Sequence, residues 1–338
     1  MRVGIIGTGA ISHMHARAYG NIGYRVTACN DIFPEAGQKF AARWGCEFVP
    51  NYEDLCARAD VDFVDVCTFP DFRLQAVEAA ARHGKAVQLQ KPISTNLETA
   101  RKIVASAHAA GIVLGVASQH RFDDSTKFVK QALADGRLGK ILQADAYVKW
   151  WRSEQYYSRP IKGSWETEGG GALINQAIHQ VDVLRYLVGD VDELFGYWQL
   201  GARHKIQSED VVCAVLKYRN GATGVIQAST AFWPGFSERI ELHGTRGTAI
   251  FTGDKLTTWD VIDDAGDPAP VEKEVMSGSS DPMAIPVVPF ERQFLDFGAA
   301  VAAHSQPLIS GEEGVKALEI VLGVYESCRT GHPVKLGS

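Results

Sequence analysis

The sequence lacks long hydrophobic runs, and no stretch of about 18 apolar residues predicts a membrane span. Basic charge is not in excess, because 34 Lys and Arg residues are outnumbered by 40 Asp and Glu residues in a chain of 338. A nucleic-acid partner is therefore not expected, since it would require a basic face. The N-terminus also lacks a basic segment followed by an apolar segment and a cleavage site, which predicts a cytoplasmic protein.

Cysteine is scarce, with six residues scattered at positions 29, 46, 56, 67, 213 and 328 and no C-x-x-C pair. Several of them lie in apolar runs, which predicts buried and reduced thiols. His13 and His15 resemble a metal-binding pair, but no acidic or cysteine residue lies near them in the sequence, so no metal site is expected. The hydrophobic content of 46% is typical of a globular protein, and the length suffices for two domains.

A glycine turn follows the first apolar run, Val3–Ile6, and precedes a helical pattern. Glycines let the main chain approach a pyrophosphate, and the helix N-terminus offers N–H groups to it. Asp31 ends the next predicted strand, 22 residues after Gly9, close to the ~20 expected of the acid that binds the ribose hydroxyls. Ser12 replaces the third glycine of the usual fingerprint, and a turn without a ligand is the alternative. The predicted dinucleotide-binding residues are Gly7, Thr8, Gly9, Ala10, Ile11 and Asp31.

Asp31 also indicates which cofactor is bound. Its carboxylate would accept hydrogen bonds from an adenosine ribose and repel a 2′-phosphate. No Lys or Arg lies between Asp31 and Lys39 to bind that phosphate. The sequence therefore favours NAD over NADP.

Strands alternate with helices over residues 1–120, which predicts a Rossmann doubly wound parallel sheet of the α/β class. Ligands of such sheets bind at the carboxyl ends of the strands. Lys91 lies at one of these ends and is expected to project toward the nicotinamide, whereas an exposed surface lysine is the alternative. Further cofactor-binding candidates at the strand ends are Thr68, Phe69, Pro70, Gln90, Lys91 and Gln119.

A second glycine-rich segment, Gly169-Gly170-Gly171, leads into another helical pattern. Apolar residues recur there at helical spacing, while Asn175, His179 and Asp182 share a different face because residues three and four apart are helix neighbours. This polar stripe near the glycines predicts the wall of a pocket. A solvated helix face is the alternative.

The chain resembles the Gfo/Idh/MocA family, named after glucose–fructose oxidoreductase, inositol dehydrogenase and MocA. The resemblance spans nearly the whole chain and rests on the first glycine turn, on Gln90-Lys91-Pro92 and on the triple glycine through His179. It implies that Lys91 lies between nicotinamide and substrate hydroxyls and that His179 is the catalytic histidine. Gln90 replaces the glutamate of the family's Glu-Lys-Pro motif, and Asn175 replaces an aspartate common four residues before the histidine. These departures remove two negative charges from the predicted pocket.

Residues 121–338 are predicted to form an α+β domain with a large, mostly antiparallel open sheet, because consecutive strand patterns follow the second glycine segment. The alternative for the closing helices, within residues 285–330, is that they pack back on the Rossmann domain. An aromatic cluster precedes the triple glycine and predicts walls for a sugar ring, with a core aromatic cluster as the alternative. The substrate-binding candidates are Arg121, Trp151, Arg152, Tyr156, Trp165, Asn175 and Asp182.

These features predict an NAD-dependent oxidoreductase that moves a hydride between nicotinamide and a secondary alcohol or ketone of a sugar, sugar derivative or polyol. His179 is expected to accept the hydroxyl proton, and Lys91 to bind the reacting oxygen. Two alternatives remain: an NADP-dependent keto-sugar reductase of the same fold, and a non-catalytic dinucleotide-binding regulator. The expected partners are a small sugar or polyol and further copies of the chain, since the family resemblance implies oligomers built through the open sheet.

Overall fold

Two compact units make up the described part of the chain, which comprises residues 1–159, 161–272, 277, 279 and 286–337 of a computed structural model. The first unit contains Met1–Gln119 and Val287–Lys316. The second contains His120–Pro286 and Ala317–Ser338. Each has its own sheet, and together they confirm the predicted fold class, a Rossmann sheet followed by an α+β domain.

The sheet of the first unit is parallel throughout, with the strand order β3-β2-β1-β4-β5-β6. Its central strands are buried, and most of their side chains are apolar on both faces, the composition typical of a parallel sheet covered by helices, although Asp65 and Gln88 are buried among them. The two-residue strand β3 was not predicted, since it is too short to show a pattern. The strands are β1 (Arg2–Ile6), β2 (Arg25–Asn30), β3 (Glu47–Phe48), β4 (Phe63–Val66), β5 (Ala86–Leu89) and β6 (Leu114–Val116).

Local sequence signals mark ends of three helices of the first unit. Pro34 occupies the first turn of its helix and Gly45 ends it in the left-handed conformation, while Asn51 and Asn96 cap two others through side-chain oxygens. A 3₁₀ turn, Pro70–Phe72, precedes the fourth helix. The helices are α1 (Ala10–Asn21), α2 (Pro34–Trp44), α3 (Tyr52–Ala57), α4 (Arg73–Arg82) and α5 (Leu97–Ala109).

The sheet of the second unit has eight strands in the order β13-β12-β11-β7-β10-β9-β8-β14. All neighbours are antiparallel except β7 and β10. The strands are β7 (Ile141–Lys149), β8 (Val191–Leu200), β9 (Glu209–Tyr218), β10 (Thr223–Ser229), β11 (Arg239–Gly244), β12 (Gly247–Thr252), β13 (Lys255–Val261) and β14 (Val334–Lys335).

The remaining helices are α6 (Asp124–Ala134), α7 (Glu154–Tyr157), α8 (Trp165–Glu168), α9 (Ile178–Val188), α10 (Val288–Ala303) and α11 (Gly311–Thr330). Helix α10 belongs to the first unit and packs on α1, where the rings of Tyr19 and Phe294 stack with centroids 4.3 Å apart. Helix α11 crosses from the first unit into the second. No helix among the described residues is both long and apolar enough to traverse a bilayer.

One face of the second sheet is open, and it corrects the expectation that the cysteines are buried. Along β9 the side chains alternate, so that Val212 and Ala214 are buried whereas Cys213 and Val215 are exposed. Tyr197 of β8 is also exposed. The exposed residues of this face are themselves apolar. Cys213 therefore lies in an apolar run of the sequence although its side chain is outside the core. All six cysteines are free thiols.

Gly224 permits the close pairing of β10 with β7, and its replacement tests the second sheet. A Cβ at this position would collide with the carbonyl oxygen of Ala144. We expect Gly224→Ala to lower the free energy of unfolding by about 1–3 kcal/mol, the usual cost of overpacking. Gly20→Ala is the matched control, since a Cβ there meets open space. Urea unfolding measures both, and equal stabilities would contradict the prediction.

Candidate functional site

The first glycine turn is tied to Asp31 by two hydrogen bonds from Thr8, and a third, from Phe33, holds the carboxylate from the other side. Oδ2 of Asp31 accepts from the Thr8 backbone N–H at 2.7 Å and from the Thr8 hydroxyl at 2.6 Å, and Oδ1 accepts from the Phe33 N–H at 2.9 Å. Gly7 has φ +91°, and a Cβ there would lie 2.9 Å from the Cys67 carbonyl carbon. Gly7 therefore lets the turn pack against the residues that follow β4, whereas a Cβ on Gly9 would meet open space. The turn brings an acid beside the N-terminus of α1 and leaves room for a ligand at Gly9.

The carboxyl ends of β4 and β5 are joined by a buried arginine that sequence reasoning missed. The Arg73 guanidinium donates to the carbonyl oxygens of Thr68 at 2.8 Å and Lys91 at 3.3 Å, and also to that of Pro92. Burial lowers the pKa of Arg73 to about 9. The lysine's backbone is thus held at the strand end that the sequence predicted.

Strand ends also carry the other cofactor-binding candidates of the first unit. Phe69 is 45% exposed, Pro70 begins the 3₁₀ turn before α4, and Gln119 begins a second 3₁₀ turn, Gln119–Phe122, after β6. Gln90 is buried and its side chain accepts a hydrogen bond from the Lys91 N–H at 3.2 Å. These residues and the glycine turn all follow strands of one parallel sheet, as the alternation predicted.

The second glycine segment enters a π-helical turn, Leu173–Ala177, before α9 begins at Ile178. The expectation of regular α-helical spacing through Asn175 and His179 is therefore wrong, because a π turn inserts an extra residue. Asn175 Nδ2 donates to the Gly170 carbonyl oxygen at 3.1 Å. π turns are frequent at functional sites, and this one determines where Asn175 lies relative to His179.

A half-buried histidine, His120, adjoins the predicted catalytic histidine. The rings of His120 and His179 meet edge to face with centroids 5.4 Å apart, and His120 Nδ1 hydrogen-bonds Asp123 Oδ2 at 2.9 Å. Burial disfavours a charged His120, but the carboxylates of Asp123, Glu238 and Asp254 together outweigh it and raise the pKa of His120. His179 therefore lies beside a group that can carry positive charge.

Arg121 and Asp182, two of the predicted substrate ligands, bind each other. Arg121 Nη2 lies 2.5 Å from Asp182 Oδ1, and Arg121 Nε lies 2.7 Å from Oδ2. Both side chains are buried, and the Arg121 guanidinium also packs on the Tyr186 ring at 4.7 Å. This bidentate pair favours a role for both residues in fixing α9 rather than direct contact with a substrate.

Glu209 anchors the glycine segment and was not found from the sequence. Its carboxylate accepts from the N–H of Gly171 at 2.7 Å, from the N–H of Leu173 at 2.8 Å and from the Tyr325 hydroxyl at 2.8 Å. A Cβ on Gly170 would strike the Tyr325 side chain. Burial raises the pKa of Glu209 to about 7. The carboxylate and the tyrosine together fix the start of the π turn.

The neighbouring acid, Asp210, organises the aromatic segment. It accepts from the backbone N–H of His204 at 3.0 Å and hydrogen-bonds His204 Nδ1 at 3.1 Å. The other ring nitrogen lies 2.8 Å from the Arg152 carbonyl oxygen, and the Trp151 and Tyr157 rings pack on the imidazole at 5.7 and 4.6 Å. Adjacent residues of β9 therefore support both segments that carry the predicted substrate ligands.

Of the aromatic candidates, Tyr156 and Trp165 have different surroundings. The Tyr156 hydroxyl accepts from Gln176 Nε2 at 3.0 Å, and the Arg152 guanidinium lies 5.7 Å from its ring centroid. Trp165 packs on Tyr325 with centroids 5.1 Å apart and on Trp198 at 5.3 Å. Tyr156 thus joins the π turn and the buried arginine, whereas Trp165 belongs to the packed aromatic cluster that the sequence left as an alternative.

The parallel sheet with its glycine turn and acid places the first unit in the class of dinucleotide-binding Rossmann domains. Residues 1–118 match the family described as an oxidoreductase family with an NAD-binding Rossmann fold, and residues 126–250 match the GFO/IDH/MocA C-terminal domain. The chain belongs to the Gfo/Idh/MocA family of oxidoreductases.

Individual relatives align along nearly the whole chain. The 1,5-anhydro-D-fructose reductase of Ensifer adhaerens is 28% identical over 99% of this chain and 98% of its own. The inositol 2-dehydrogenase of Rhizobium meliloti (strain 1021) is 26% identical over 95% of this chain and 94% of its own. The WlbA dehydrogenase of Bordetella pertussis, solved in complex with NADH and UDP-GlcNAcA, is 27% identical with a TM-score of 0.89, and the match covers 100% of this chain and 98% of that chain.

Glu209 generates a pH-dependent stability. Because its folded pKa of about 7 lies above the ordinary 4.5, the folded chain retains a proton that the unfolded chain has lost. The contribution of Glu209 to the free energy of unfolding is complete below about pH 4.5 and is lost as pH rises through about 7. We expect the stability of Glu209→Gln relative to wild type to rise by on the order of 2–3 kcal/mol between about pH 5 and pH 8.

Urea unfolding over that pH range measures the effect of Glu209→Gln. Glu166→Gln, which changes an exposed glutamate, is the control and should follow the wild type at every pH. A Glu209→Gln curve parallel to that of wild type would contradict the prediction.

Proposed function

We propose that this protein is an NAD-dependent oxidoreductase that moves a hydride between nicotinamide and a secondary alcohol or ketone of a sugar, sugar derivative or polyol. The observation that carries the proposal is that both chemical groups of the family motifs, Lys91 and His179, are present. Part-buried hydrogen bonds hold the backbone of Lys91, and buried ones hold the glycine segment that leads to His179. The relatives support the substrate class, since their names include an anhydro-sugar reductase and an inositol dehydrogenase.

The residues of the first glycine turn fit a dinucleotide. A Cβ on Gly9 would meet nothing within 4 Å, so the turn leaves open space there, and the N-terminus of α1 would offer its first N–H groups to a pyrophosphate. Asp31 would accept from the ribose hydroxyls, and the exposed residues that follow it, Ile32 and Phe33, carry no charge to bind a 2′-phosphate. This arrangement favours NAD over NADP.

When bound, NAD supplies the hydride acceptor at C4 of its nicotinamide. His179 takes the proton of the substrate hydroxyl in oxidation and returns it in reduction. Lys91 donates a hydrogen bond to the same oxygen and stabilises its developing negative charge. Tyr156, Trp151 and Arg152 are the proposed wall for the sugar ring, and Asn175 orients a neighbouring hydroxyl from the π turn.

Removal of either chemical group should abolish most turnover. We expect Lys91→Ala and His179→Ala each to lower kcat about 10²–10⁴-fold, the usual contribution of a positioned acid–base or charge-stabilising group, with nearly unchanged NADH affinity. The assay is NADH absorbance on inositols, aldoses, sugar acids and glycosides, with NADH affinity from its fluorescence. Lys102→Ala and His108→Ala, at exposed positions, are the matched controls.

Three results would separate the alternatives. Turnover that persists in both variants on a confirmed substrate would refute the catalytic roles. A wild type that binds NADH but turns over no member of the panel would favour the dinucleotide-binding regulator. A wild type active only with NADPH would favour the keto-sugar reductase.

Cofactor preference should depend on Asp31. We expect Asp31→Ala to lower kcat/KM for NAD about 10- to 100-fold, because hydrogen bonds to a charged acceptor are lost, and to lower that for NADP much less. Steady-state kinetics with both cofactors gives the ratio. Since loss of the Thr8 hydrogen bonds affects both cofactors equally, only a change in the ratio supports the assignment. An unchanged ratio would contradict it.

A further inference from the structure

A buried chain of hydrogen bonds runs from the backbone of Lys91 into the core of the first unit. The Lys91 N–H donates to Gln90 Oε1 at 3.2 Å, and Gln90 Nε2 lies 2.7 Å from His15 Nε2. His15 Nδ1 lies 2.7 Å from Asp65 Oδ2. The side chains of His15 and Asp65 have no exposed surface, and Gln90 is 5% exposed. These hydrogen bonds thus join the residues that follow β5 to the middle of α1, and α1 to strand β4.

The hydrogen bonds of this network can run in only one donor-to-acceptor order, which the Lys91 N–H determines. An N–H can only donate, so the oxygen of the Gln90 amide must face Lys91 and its nitrogen must face the imidazole. The amide nitrogen in turn donates, so His15 Nε2 must be an acceptor without a proton. His15 is therefore the neutral tautomer with its proton on Nδ1, and it donates to the Asp65 carboxylate.

Two further donors meet the Asp65 carboxylate. The Tyr19 hydroxyl donates to Oδ2 at 2.9 Å, and the Cys67 thiol lies 3.6 Å from Oδ1. Burial, with Asp65 as a further cause, raises the pKa values of the Tyr19 hydroxyl and the Cys67 thiol well above their ordinary ranges, so both groups keep the protons they donate. His15, Asp65 and Cys67 lie close enough together to resemble a metal site, but these hydrogen bonds already account for the cluster.

We propose that Asp65, His15 and Gln90 form a relay that positions Lys91 for the reaction, an inference that rests on the proposed function of Lys91. Gln90 holds the lysine's N–H while Arg73 holds its carbonyl oxygen, so the backbone on both sides of the side chain is fixed from the core. The three are positioning residues, because they act through Lys91 and not on the substrate.

The relay requires an amide at residue 90, because this side chain must accept one hydrogen bond and donate another. A glutamate there could accept from the Lys91 N–H, but it would also need a proton from His15 Nε2, which has none in this tautomer. The imidazole would then have to become charged between two buried carboxylates, or one acid would have to hold a proton; either is unfavourable. An asparagine at residue 65 removes this conflict, because its amide can donate to His15 Nδ1 and let the proton move to Nε2.

The experiment is a double-mutant cycle with Gln90→Glu, Asp65→Asn and the variant that carries both changes. We expect Gln90→Glu alone to lower kcat about 10- to 100-fold, as a buried donor or acceptor is lost. NADH affinity should change less than about twofold, because the Gln90 side chain binds His15 and the Lys91 N–H instead of facing the cofactor as the sequence predicted, and the pyrophosphate turn is untouched. Asp65→Asn alone should lower kcat only slightly. Its addition to Gln90→Glu should restore most of the kcat that Gln90→Glu loses.

A spectroscopic readout tests the relay without activity. In protein labelled with ¹⁵N-histidine, the His15 resonances should report a protonated Nδ1 in the wild type and a protonated Nε2 in the double variant. His15→Gln identifies these resonances by their loss. Tyr19→Phe is the matched control for stability, because it removes a hydrogen bond at the far end of the relay and should leave kcat and the tautomer unchanged.

The outcomes separate the relay from the proposed function. A wild-type His15 protonated on Nε2, or a double variant no better than Gln90→Glu, would overturn the relay. A folded Gln90→Glu variant with wild-type kcat would overturn the positioning role. The expected tautomers in a protein that oxidises no sugar or polyol would leave the relay standing as a structural network, overturn its catalytic purpose and refute the proposed function.

Discussion

Each unit contains a carboxylate that accepts hydrogen bonds from the main chain of a glycine-rich segment. Asp31 binds the Thr8 N–H in the first unit, and Glu209 binds the N–H groups of Gly171 and Leu173 in the second. Glycine lets the main chain come close to such an acid, and the acid in turn removes the freedom that glycine brings. The dinucleotide-binding candidates of the first unit follow from the turn that Asp31 holds, and Asn175 and His179 follow the glycine segment that Glu209 holds. Lys91 is held differently, by Arg73 and Gln90.

The sequence predicts those parts of the molecule that depend on short-range patterns. Alternating strands and helices, Gly7 and Gly9 after an apolar strand, and Asp31 at the end of the next are all local signals, and the sheet order confirms the fold that they indicate. The second sheet was predicted for the same reason, since its alternation of apolar and polar residues and its turn residues can be read from a few positions at a time.

The contacts that hold the candidate residues are long-range, and no local pattern announces them. Glu209 lies 38 positions from Gly171 and 116 from Tyr325, and His15 lies 50 positions from Asp65. The sequence predicts no metal ligand at His15, because no acid lies near it along the chain. In space, however, Asp65 of β4 and Cys67, which follows β4, both adjoin it. The π turn was missed for a different reason, since its apolar spacing resembles that of an α-helix.

The two departures from the family motifs have a local physical cause. Gln90 donates to His15 and accepts from the Lys91 N–H, and Asn175 donates to the Gly170 carbonyl oxygen. At residue 90 a carboxylate could make only the accepting contact. At residue 175 a carboxylate would repel the Gly170 carbonyl oxygen. Each amide therefore suits the groups around it in its own unit. Loss of two negative charges at these positions does not by itself indicate a different substrate, and specificity must depend on side chains that contact the sugar.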